Sequence, residues 1–402
     1  MTIQKITTDI IEDSAITSSK ISVGTPEAGD IIYHDGTEYV KLAKGTDGNN
    51  LVLENGLPAW GVSVSFPSHL GGTMIQESAS TSEISYLTIA TLGNSQFFGT
   101  NTNTPDIQNA AAGNTNRTLL ISAFRPSQNI NEIAFLNPNT LGSAVTGGHG
   151  SLTQPRSSIG VCSDATRVVI GGGDLGSFNT DSGSGDPGGG FLAATNMEFI
   201  GIQNGGVAQE LGELNVIGQS AAGVGAPADR NKMRQMTGCS DGTHGYWISG
   251  YGGFDNSNNI TNPPGAGFMN VVQKFTIQTN ANCTQFGNMT TTSTEHFAET
   301  DGTHIVSGGG TNLSNAPQSR IDFMTNASGG NATSFGSFLI ARRGIGSATN
   351  GTRAVINANS ESGNQIEYIT LATTGDAQDF GDMNHDTTST NSACSGGNGG
   401  LG

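Results

Sequence analysis

The sequence predicts an all-β fold in which six four-stranded sheets form a β-propeller, preceded by a separate N-terminal segment. Three observations lead to this prediction. Apolar residues fall in short, regularly spaced runs of strand length, no amphipathic helix is evident after about Ser22, and a four-strand motif recurs from about Phe66 onward. Soluble domains are ordinarily about one-third helix, so the scarcity of helical periodicity favours an all-β architecture.

Composition agrees with many short strands and argues against two classes of partner. Of the 402 residues, 60 are glycine and only 12% are charged. The formal net charge of −17 repels phosphate backbones and anionic lipid, so we expect no nucleic acid and no membrane insertion. No apolar run approaches the roughly 18 residues that a membrane span needs, and the first residues lack the apolar core of a secretion signal.

The C-terminal repeat displays the motif most clearly. After a small-residue first strand and a turn at 349–352, we expect a second strand over 353–356, a third over 366–371 and a fourth around 379–381. The turn contains Asn-Gly, and Asp-Gly stands in its place in other repeats; both supply the positive φ angle that a tight hairpin turn needs. Four-stranded units that recur at roughly 50 residues indicate a β-propeller.

The same order of strands recurs upstream. Expected second strands begin at Arg117, Arg167, His244 and His304. Expected third strands begin near 84, 131, 196, 272 and 320. Expected fourth strands lie around 97–99, 144–145, 211–212, 286–287 and 335–336. Together with the C-terminal repeat, these positions predict six blades.

Both ends of the repeat region predict how the ring closes. The last residues, up to Gly402, form a first strand that no second strand follows, and residues 69–76 precede a third strand without a first strand of their own. We therefore expect 69–76 to supply the missing strand and to pair beside the strand at 366–371. Closure of this kind removes an exposed sheet edge.

The motif order resembles the kelch repeat, in which the second strand ends in Gly-Gly and a third strand with an aromatic residue follows. Gly-Gly stands at 171–172 and 308–309 and, shifted slightly, at 252–253. The sequence departs from the kelch pattern after Ile356, where the glycine pair is missing, and in the fourth strands, where phenylalanine replaces tryptophan. The resemblance implies a kelch-like architecture and says little about a ligand.

Residues 1–62 differ in residue pattern from the propeller region, 63–402. Residues 3–21 fit an extended segment or a marginal helix, and 29–61 fit short strands with turns at Asp35-Gly36 and Asp47-Gly48. The Ile-Thr-rich opening and the stretch GTDGNNLVLENGLPAWG resemble the N-terminal regions of bacteriophage tail-fibre and other virion appendage proteins. The repeats, particularly IEYITLATTGDAQDFGDM from Ile366, resemble structural proteins of marine tailed phages.

This resemblance implies a virion protein, assembled in the host cytoplasm, whose residues 1–62 dock on other virion proteins while the propeller projects. The same segment is a candidate for homo-oligomer contacts. The favoured function is a tail-fibre or appendage adhesin that binds a host-surface glycan or protein through one propeller face. The alternative is a structural component without a receptor role, such as a capsid decoration, fibre or adaptor subunit. A glycan-degrading enzyme ranks third.

No motif predicts catalysis, a cofactor or a metal. The Gly-Gly-Gly runs end strands and lead into further strands, whereas phosphate-binding glycines open helices, and the seven histidines lack metal-ligand spacing. Glu367, Asp379 and Asp382 are acidic residues of the kind that a propeller glycosidase uses. Because Glu367 shares a repeat position with Asp322, ordinary solvent-facing strand positions account for these acids.

Four cysteines are present, and none forms a CxxC pair. Cys162, Cys239 and Cys394 share one repeat position in the small-residue first strands. This placement favours buried, reduced thiols, with disulfide pairing as the alternative.

Three insertions predict a binding face. Residues 303–352 span a nearly minimal blade, a separation of 49, whereas the equivalent span 166–243 is a separation of 77. Inserted residues at 174–192 and 252–267 join second to third strands, and those at 215–232 link two blades. Connections of these two kinds emerge on the same face of a propeller, and function concentrates on long loops held by a rigid scaffold.

Aromatic residues in these insertions are the candidate ligand contacts, because they could stack on sugar rings or fill a protein pocket. Phe178, Phe191, Phe254 and Phe268 are expected to be exposed in loops. The candidate ligand-binding residues are Phe178, Phe191, Tyr251, Phe254, Asp255 and Phe268. The competing interpretation is that the loops pack against a neighbouring virion subunit.

Overall fold

The computed structural model confirms an all-β protein. The residues that it describes are 25, 27–45, 50–54, 56–61, 72–78, 81–101, 110–121, 124–125, 128–175, 194–215, 233–252, 267–357, 363–384 and 392–395. Within these ranges every regular element is a strand. The chain divides into two compact units, Met1–Phe66 and Pro67–Gly402.

The N-terminal unit contains two β-hairpins. Ile31–His34 pairs with Tyr39–Leu42, and Asn50–Glu54 pairs with Leu57–Gly61. The first hairpin turns at Asp35, as the sequence predicts, because its carboxylate accepts the N–H groups of the residues that follow it. The second hairpin turns at Gly56, at φ 83°. The expected turn at Asp47-Gly48 lies outside the described residues.

The second unit is a six-bladed β-propeller, in which each blade is an antiparallel sheet whose strands are counted outward from the axis. The strands of blade 1 are Ser392–Ser395, Thr73–Glu77, Glu83–Thr88 and Gln96–Thr100. Those of blade 2 are Ala110–Asn114, Arg117–Ile121, Glu132–Leu136 and Val145–Ser151. Those of blade 3 are Gly160–Ser163, Arg167–Gly171, Asn196–Gly201 and Gln209–Glu213.

The remaining three blades follow the same plan. The strands of blade 4 are Thr237–Ser240, His244–Gly252, Gly267–Thr276 and Thr284–Asn288. Those of blade 5 are Phe297–Thr300, His304–Gly308, Gln318–Thr325 and Thr333–Arg342. Those of blade 6 are Ser347–Thr349, Arg353–Ile356, Gln365–Thr370 and Gln378–Asp382. Three two-residue strands add to the edges of blade sheets: Gly206–Val207, Met233–Arg234 and Gly330–Asn331. Two more, Phe124–Arg125 and Gln128–Asn129, pair with each other in a connection of blade 2.

The C-terminal strand closes the ring at the axis. Each first strand contacts the first strand of the next blade, and that of blade 6 contacts Ser392–Ser395 of blade 1. Ser392–Ser395 pairs with Thr73–Glu77, which pairs in turn with Glu83–Thr88. The expectation that residues 69–76 pair beside 366–371 is therefore wrong. Both edges of the strand at 366–371 are occupied by other strands of blade 6. The inner neighbour of Thr73–Glu77 is instead the C-terminal strand Ser392–Ser395.

A second ring of contacts closes the outside of the propeller. The turn between the third and fourth strands of each blade hydrogen-bonds to the fourth strand of the preceding blade. Gly375 N–H donates to the Phe335 carbonyl at 2.9 Å, and Gly93 N–H donates to the Phe380 carbonyl at 3.0 Å. The second of these bonds joins blade 6 to blade 1, so the ring is closed at its rim as well as at its axis.

Arginine side chains also fasten neighbouring blades. At the start of three second strands, an arginine lies over an aromatic ring of the third strand and donates to a carbonyl of the next blade. The stacked pairs, at 4.5, 4.1 and 4.3 Å, are Arg117–Phe135, Arg167–Phe199 and Arg353–Tyr368. This position holds His244 and His304 in blades 4 and 5, where each imidazole contacts the aspartate of the adjacent turn. Arginine and histidine at this position therefore make structural contacts.

Apolar side chains fill the spaces between adjacent blades in six separate clusters. Cys162, Cys239 and Cys283 are buried there as free thiols, which confirms the prediction for Cys162 and Cys239. Burial raises the pKa of each thiol, so the thiolate is disfavoured. The side chain of Cys394 lies outside the described residues, although its backbone pairs with Ile75 as Cys162 pairs with Val169.

Candidate binding face

The two ends of the propeller differ in their connections. The turns between first and second strands and between third and fourth strands form one end, here called the turn face. The connections between second and third strands and the links between blades form the other end, here called the loop face. The three inserted segments all leave from the loop face, on blades 3 and 4.

The ends of the three insertions meet in one place. Met233, which follows the second insertion, accepts the Gly173 N–H at 2.8 Å and donates to the Ala194 carbonyl at 3.3 Å. These two residues bracket the first insertion. Met233 also pairs in register with Gly252, where the third insertion begins. Backbone hydrogen bonds between described residues therefore bring the three loops out of a single region.

Side chains reinforce this region, and the four residues concerned are here called the stem cluster. The Arg234 guanidinium lies 3.0 Å from the Asp174 carboxylate and 5.2 Å from the centre of the Tyr251 ring. The Tyr251 and Phe268 rings meet edge to face at 5.6 Å. The stem cluster thus offers an aromatic pair, a cation and a carboxylate at the base of the three loops.

Two of the six predicted ligand-binding residues fall in the stem cluster. Tyr251 and Phe268 face each other across the ladder between the second and third strands of blade 4. Phe268 is a half-buried strand residue, so its expected place in an exposed loop is wrong. Phe178, Phe191, Phe254 and Asp255 lie outside the described residues. Sequence reasoning missed Asp174 and Arg234, although both lie at the ends of insertions.

Glu367 and its repeat counterparts form a second feature near the loop face, here called the polar slot. The slot is the position in each third strand at the bulge opposite the fourth strand. It holds Glu198 in blade 3, Gln273 in blade 4, Asp322 in blade 5 and Glu367 in blade 6. All four side chains are buried.

The burial of Glu367 contradicts the expected solvent-facing position. Its carboxylate pairs with the Arg342 guanidinium and accepts the N–H groups of Leu339 and Ile340, which belong to the fourth strand of the preceding blade. Burial lowers the pKa of Arg342, and the paired carboxylate opposes that shift. Asp322 is likewise buried, whereas Asp379 is exposed and Asp382 is half-buried. Hence only the last two match the expected surface placement.

A cleft of about 290 Å³, counted out to open solvent, lies between blades 4 and 5 near the loop face. The cleft is narrow and has room for about one water-sized group. Polar side chains dominate its wall: Ser249, Ser293, His296, Ser307, Arg320 and Asp322. This feature is here called the blade 5 cleft.

His296 is the unusual member of that wall. The side chain is buried, and neither ring nitrogen makes a hydrogen bond of normal geometry. Burial lowers its pKa to about 4, and the nearby Ile248 carbonyl only partly opposes this shift. The imidazole is therefore neutral near pH 7 and presents an unused acceptor nitrogen.

The described residues give no sign of two other kinds of site. No group of three or more His, Cys, Asp or Glu side chains among them is placed to hold a metal ion. Nor does any helix long and apolar enough to cross a membrane occur in these parts of the chain.

No protein-family model matches the chain, and no curated protein matches it in sequence. The class of protein that the structure defines is a six-bladed β-propeller with a small N-terminal β unit.

Proposed function

We propose that this protein is a virion component of a tailed bacteriophage that binds the host surface through the loop face of its propeller. The convergence of three insertions on the stem cluster carries the proposal. Long loops that leave one region of a rigid scaffold make a continuous binding surface, as antibody loops do on their sandwich. The aromatic residues of those loops and of the stem cluster suit the stacking of sugar rings or the filling of a protein pocket.

The N-terminal unit supports the virion part of this proposal. Residues 1–62 resemble docking segments of phage appendage proteins, and they belong to a compact unit separate from the propeller. Ile32, Tyr39, Leu51 and Leu57 are exposed on its hairpins. An isolated two-stranded hairpin is marginally stable, so these side chains suit burial against other virion proteins or against copies of the same unit.

A non-catalytic role fits the contacts of the candidate acids better than an enzymatic role does. Both carboxylate oxygens of Glu367 are engaged by Arg342 and by backbone N–H groups, so this residue is poorly placed to transfer a proton to a substrate. A loss of activity in a Glu367 variant would also reflect the loss of a buried ion pair. Asp379, being exposed, is the cleaner residue for a test of glycan cleavage.

Loop shortening tests the proposal. Replacing each of 176–193, 216–232 and 253–266 by a short Gly-Ser connection should reduce adsorption of particles to host cells without changing particle yield. The matched control shortens the connection at 358–362, which joins second and third strands on the same face but in blade 6. Unchanged adsorption by all three variants would refute the adhesin role. A loss of particle assembly would instead favour the structural alternative.

A further inference from the structure

One position in the links between blades can be aligned through its backbone hydrogen bonds; in the link to blade 6 it is Arg342, the last residue of the fourth strand of blade 5. In three links, its carbonyl accepts the N–H of an equivalent glycine near the end of a second strand in the preceding blade. These pairs, at 2.8, 3.0 and 2.8 Å, are Gly173–Met233, Gly250–Ser293 and Gly310–Arg342. Arg156 holds the position in the link to blade 3, because it stands four residues before Gly160 as Ser293 stands four residues before Phe297.

In three of these four links, the side chain fills the space beside the polar slot of the blade that follows. The contacting pairs are Arg156–Glu198 in blade 3, Met233–Gln273 in blade 4 and Arg342–Glu367 in blade 6. In the first and third pairs, both side chains are at most 1% exposed. A buried carboxylate needs such a partner, because an unpaired charge in the interior is costly.

Blade 5 keeps the carboxylate but lacks the arginine. Ser293 stands in the link, and its hydroxyl donates to the Gly309 carbonyl at 3.0 Å, as the Arg156 guanidinium donates to the Gly172 carbonyl at 3.1 Å. The serine thus makes one of the contacts that the arginine makes, and part of the arginine's space stays open. That space is the blade 5 cleft, with Asp322 in its wall. We propose that the blade 5 cleft binds an alkylguanidinium cation, whose head group occupies the vacant arginine position against Asp322.

The wall of the cleft offers further acceptors for such a cation. His296 is 5% exposed and neither ring nitrogen makes a hydrogen bond of normal geometry, so its neutral imidazole has an acceptor to offer. Ser249 adds a hydroxyl, and it does so at φ 50°, where blades 3 and 5 use Gly172 and Gly309 at φ 58° and 70°. A non-glycine residue held in this conformation is strained, and strain of this kind concentrates at ligand sites.

Arg320 defines how the cation would enter. Its Nε lies 2.6 Å from Asp322, so Arg320 neutralises the carboxylate when the cleft is empty. Its side chain is 41% exposed, unlike those of Arg156 and Arg342, and it can therefore move into solvent. Because Arg320 lines the cleft, its displacement enlarges the cleft and frees the Asp322 Oδ1, while Oδ2 keeps the Thr290 hydroxyl as its donor. The ligand and Arg320 thus compete for one carboxylate.

Titration calorimetry with methylguanidinium tests the proposal on the full chain, at constant ionic strength and with tetramethylammonium as the control cation. We expect a dissociation constant of about 1 mM, the weak end of specific binding. Asp322→Asn should weaken binding at least about tenfold, because the charged acceptor is lost. Arg320→Gln should strengthen binding, because the competing cation is gone. Ser293→Arg should abolish binding, because the new side chain fills the vacant arginine position. The variant should fold, since the links to two other blades carry arginine there.

A second variant supplies a matched positive control. Arg156→Ser vacates the equivalent arginine position beside Glu198. Added methylguanidinium should therefore raise the melting temperature of this variant more than that of the wild type. Binding to the wild type that persists unchanged in both Asp322→Asn and Ser293→Arg would overturn the proposal. So would the absence of binding to the wild type and to Arg320→Gln.

The source of the cation is a separate question that the same assay answers. An arginine side chain of a protein partner and a free guanidino compound share the head group and differ in what surrounds it. A capped Gly-Arg-Gly peptide that binds at least as tightly as methylguanidinium indicates a protein partner. Binding of methylguanidinium without the peptide indicates a small-molecule ligand. The blade 5 cleft does not depend on the three insertions, so loop shortening should leave the binding of methylguanidinium unchanged.

Discussion

At the residue scale, the propeller keeps several ionisable groups away from water, and each is held in the charge state that its surroundings allow. Two ion pairs, Arg156–Glu198 and Arg342–Glu367, are buried. Within each pair, the opposite charges of the two side chains compensate each other. His296 and Glu299 are buried without an opposite charge, and they respond by shifting their pKa values in opposite directions. These two groups therefore give the free energy of unfolding opposite dependences on pH.

Glu299 gives the clearest prediction at this scale. The Ser347 hydroxyl donates to its carboxylate at 2.7 Å, and burial raises its pKa to about 8. Because this value lies above the unfolded pKa of about 4.3, folding takes up a proton between the two values. The free energy of unfolding should therefore fall as pH rises through this window. Glu299→Gln should match the wild type near pH 5 and exceed it by about 4 kcal/mol at pH 9.

Urea denaturation at several pH values measures this difference. His296, with its lowered pKa, makes the fold less stable as pH falls from about 6.5 towards 4. That contribution is present in both proteins and cancels in the comparison. Parallel stability profiles for the wild type and Glu299→Gln from pH 5 to pH 9 would show that the Glu299 pKa is not raised.

At the scale of strands and blades, the close approach of neighbouring blades depends on glycine in the fourth strands. A Cβ added at Gly336 would lie 2.1 Å from the Gly375 carbonyl of blade 6, whereas one added at Gly375 would meet no atom within 4 Å. Contacts of the same kind recur around the rim, at Gly99, Gly212 and Gly381 among others. The glycine is thus required by the neighbouring backbone and not by flexibility of the strand.

The two glycines form a matched pair for mutation. Gly336→Ala should lower the free energy of unfolding by about 1–3 kcal/mol, because the blades must separate to admit the methyl group. Gly375→Ala should change it by less than about 1 kcal/mol, because the methyl group meets open space. Urea denaturation of both variants checks the prediction. Equal effects of the two substitutions would contradict the account of the rim.

Ring closure gives a second prediction for strands. Removing residues 392–402 deletes the first strand of blade 1 and leaves an open edge at Thr73–Glu77. We expect a fall in melting temperature of roughly 10 °C or more, together with aggregation. Removing only 396–402 keeps every described pair of that strand and serves as the control. If the longer truncation melted at the same temperature as the shorter one, the C-terminal strand would not close the ring.

Much of this arrangement could be predicted from the sequence, because the repeat signals are local. Turns such as Asp241-Gly242 and strands such as Arg353–Ile356 follow from adjacent residues. What could not be predicted depends on distant partners. Ser249-Gly250, and not Gly252-Gly253, is the counterpart of Gly172-Gly173, because a serine there adopts positive φ. Burial of Glu367 likewise depends on Arg342, which lies in a different blade.

The candidate site was predictable to a smaller extent. Blade lengths indicated the three insertions and their common face, because a repeat makes extra residues visible. The stem cluster depends on register between segments far apart in sequence, which brings Arg234 beside Asp174. The blade 5 cleft could not be found from the sequence, because it requires an alignment of the links, which share no sequence motif.

At the scale of the whole molecule, the chain divides into two compact units. All six blades are built from the unit Pro67–Gly402, and the two hairpins belong to Met1–Phe66. Under the proposed function, the first unit docks on the virion and the propeller binds the host surface. On this view, the two units can be altered independently.

Deletion of residues 1–62 tests that independence. The truncated protein should keep the melting temperature of the propeller within about 2 °C, because no strand of a blade is removed. It should fail to enter particles, as measured by immunoblotting of purified virions from a complemented deletion strain. Normal incorporation of the truncated protein would contradict the docking role, and loss of folding would contradict the separation of the two units.

The most direct measurement of the central claim is the orientation of the propeller on particles caught during adsorption. Cryo-electron tomography of virions bound to host cells, with a small tag at residue 360 to mark the loop face, would locate that face. The account predicts that the loop face meets the cell surface while the N-terminal unit lies on the particle. A loop face that is consistently packed against another virion protein, with the turn face towards the cell, would contradict it.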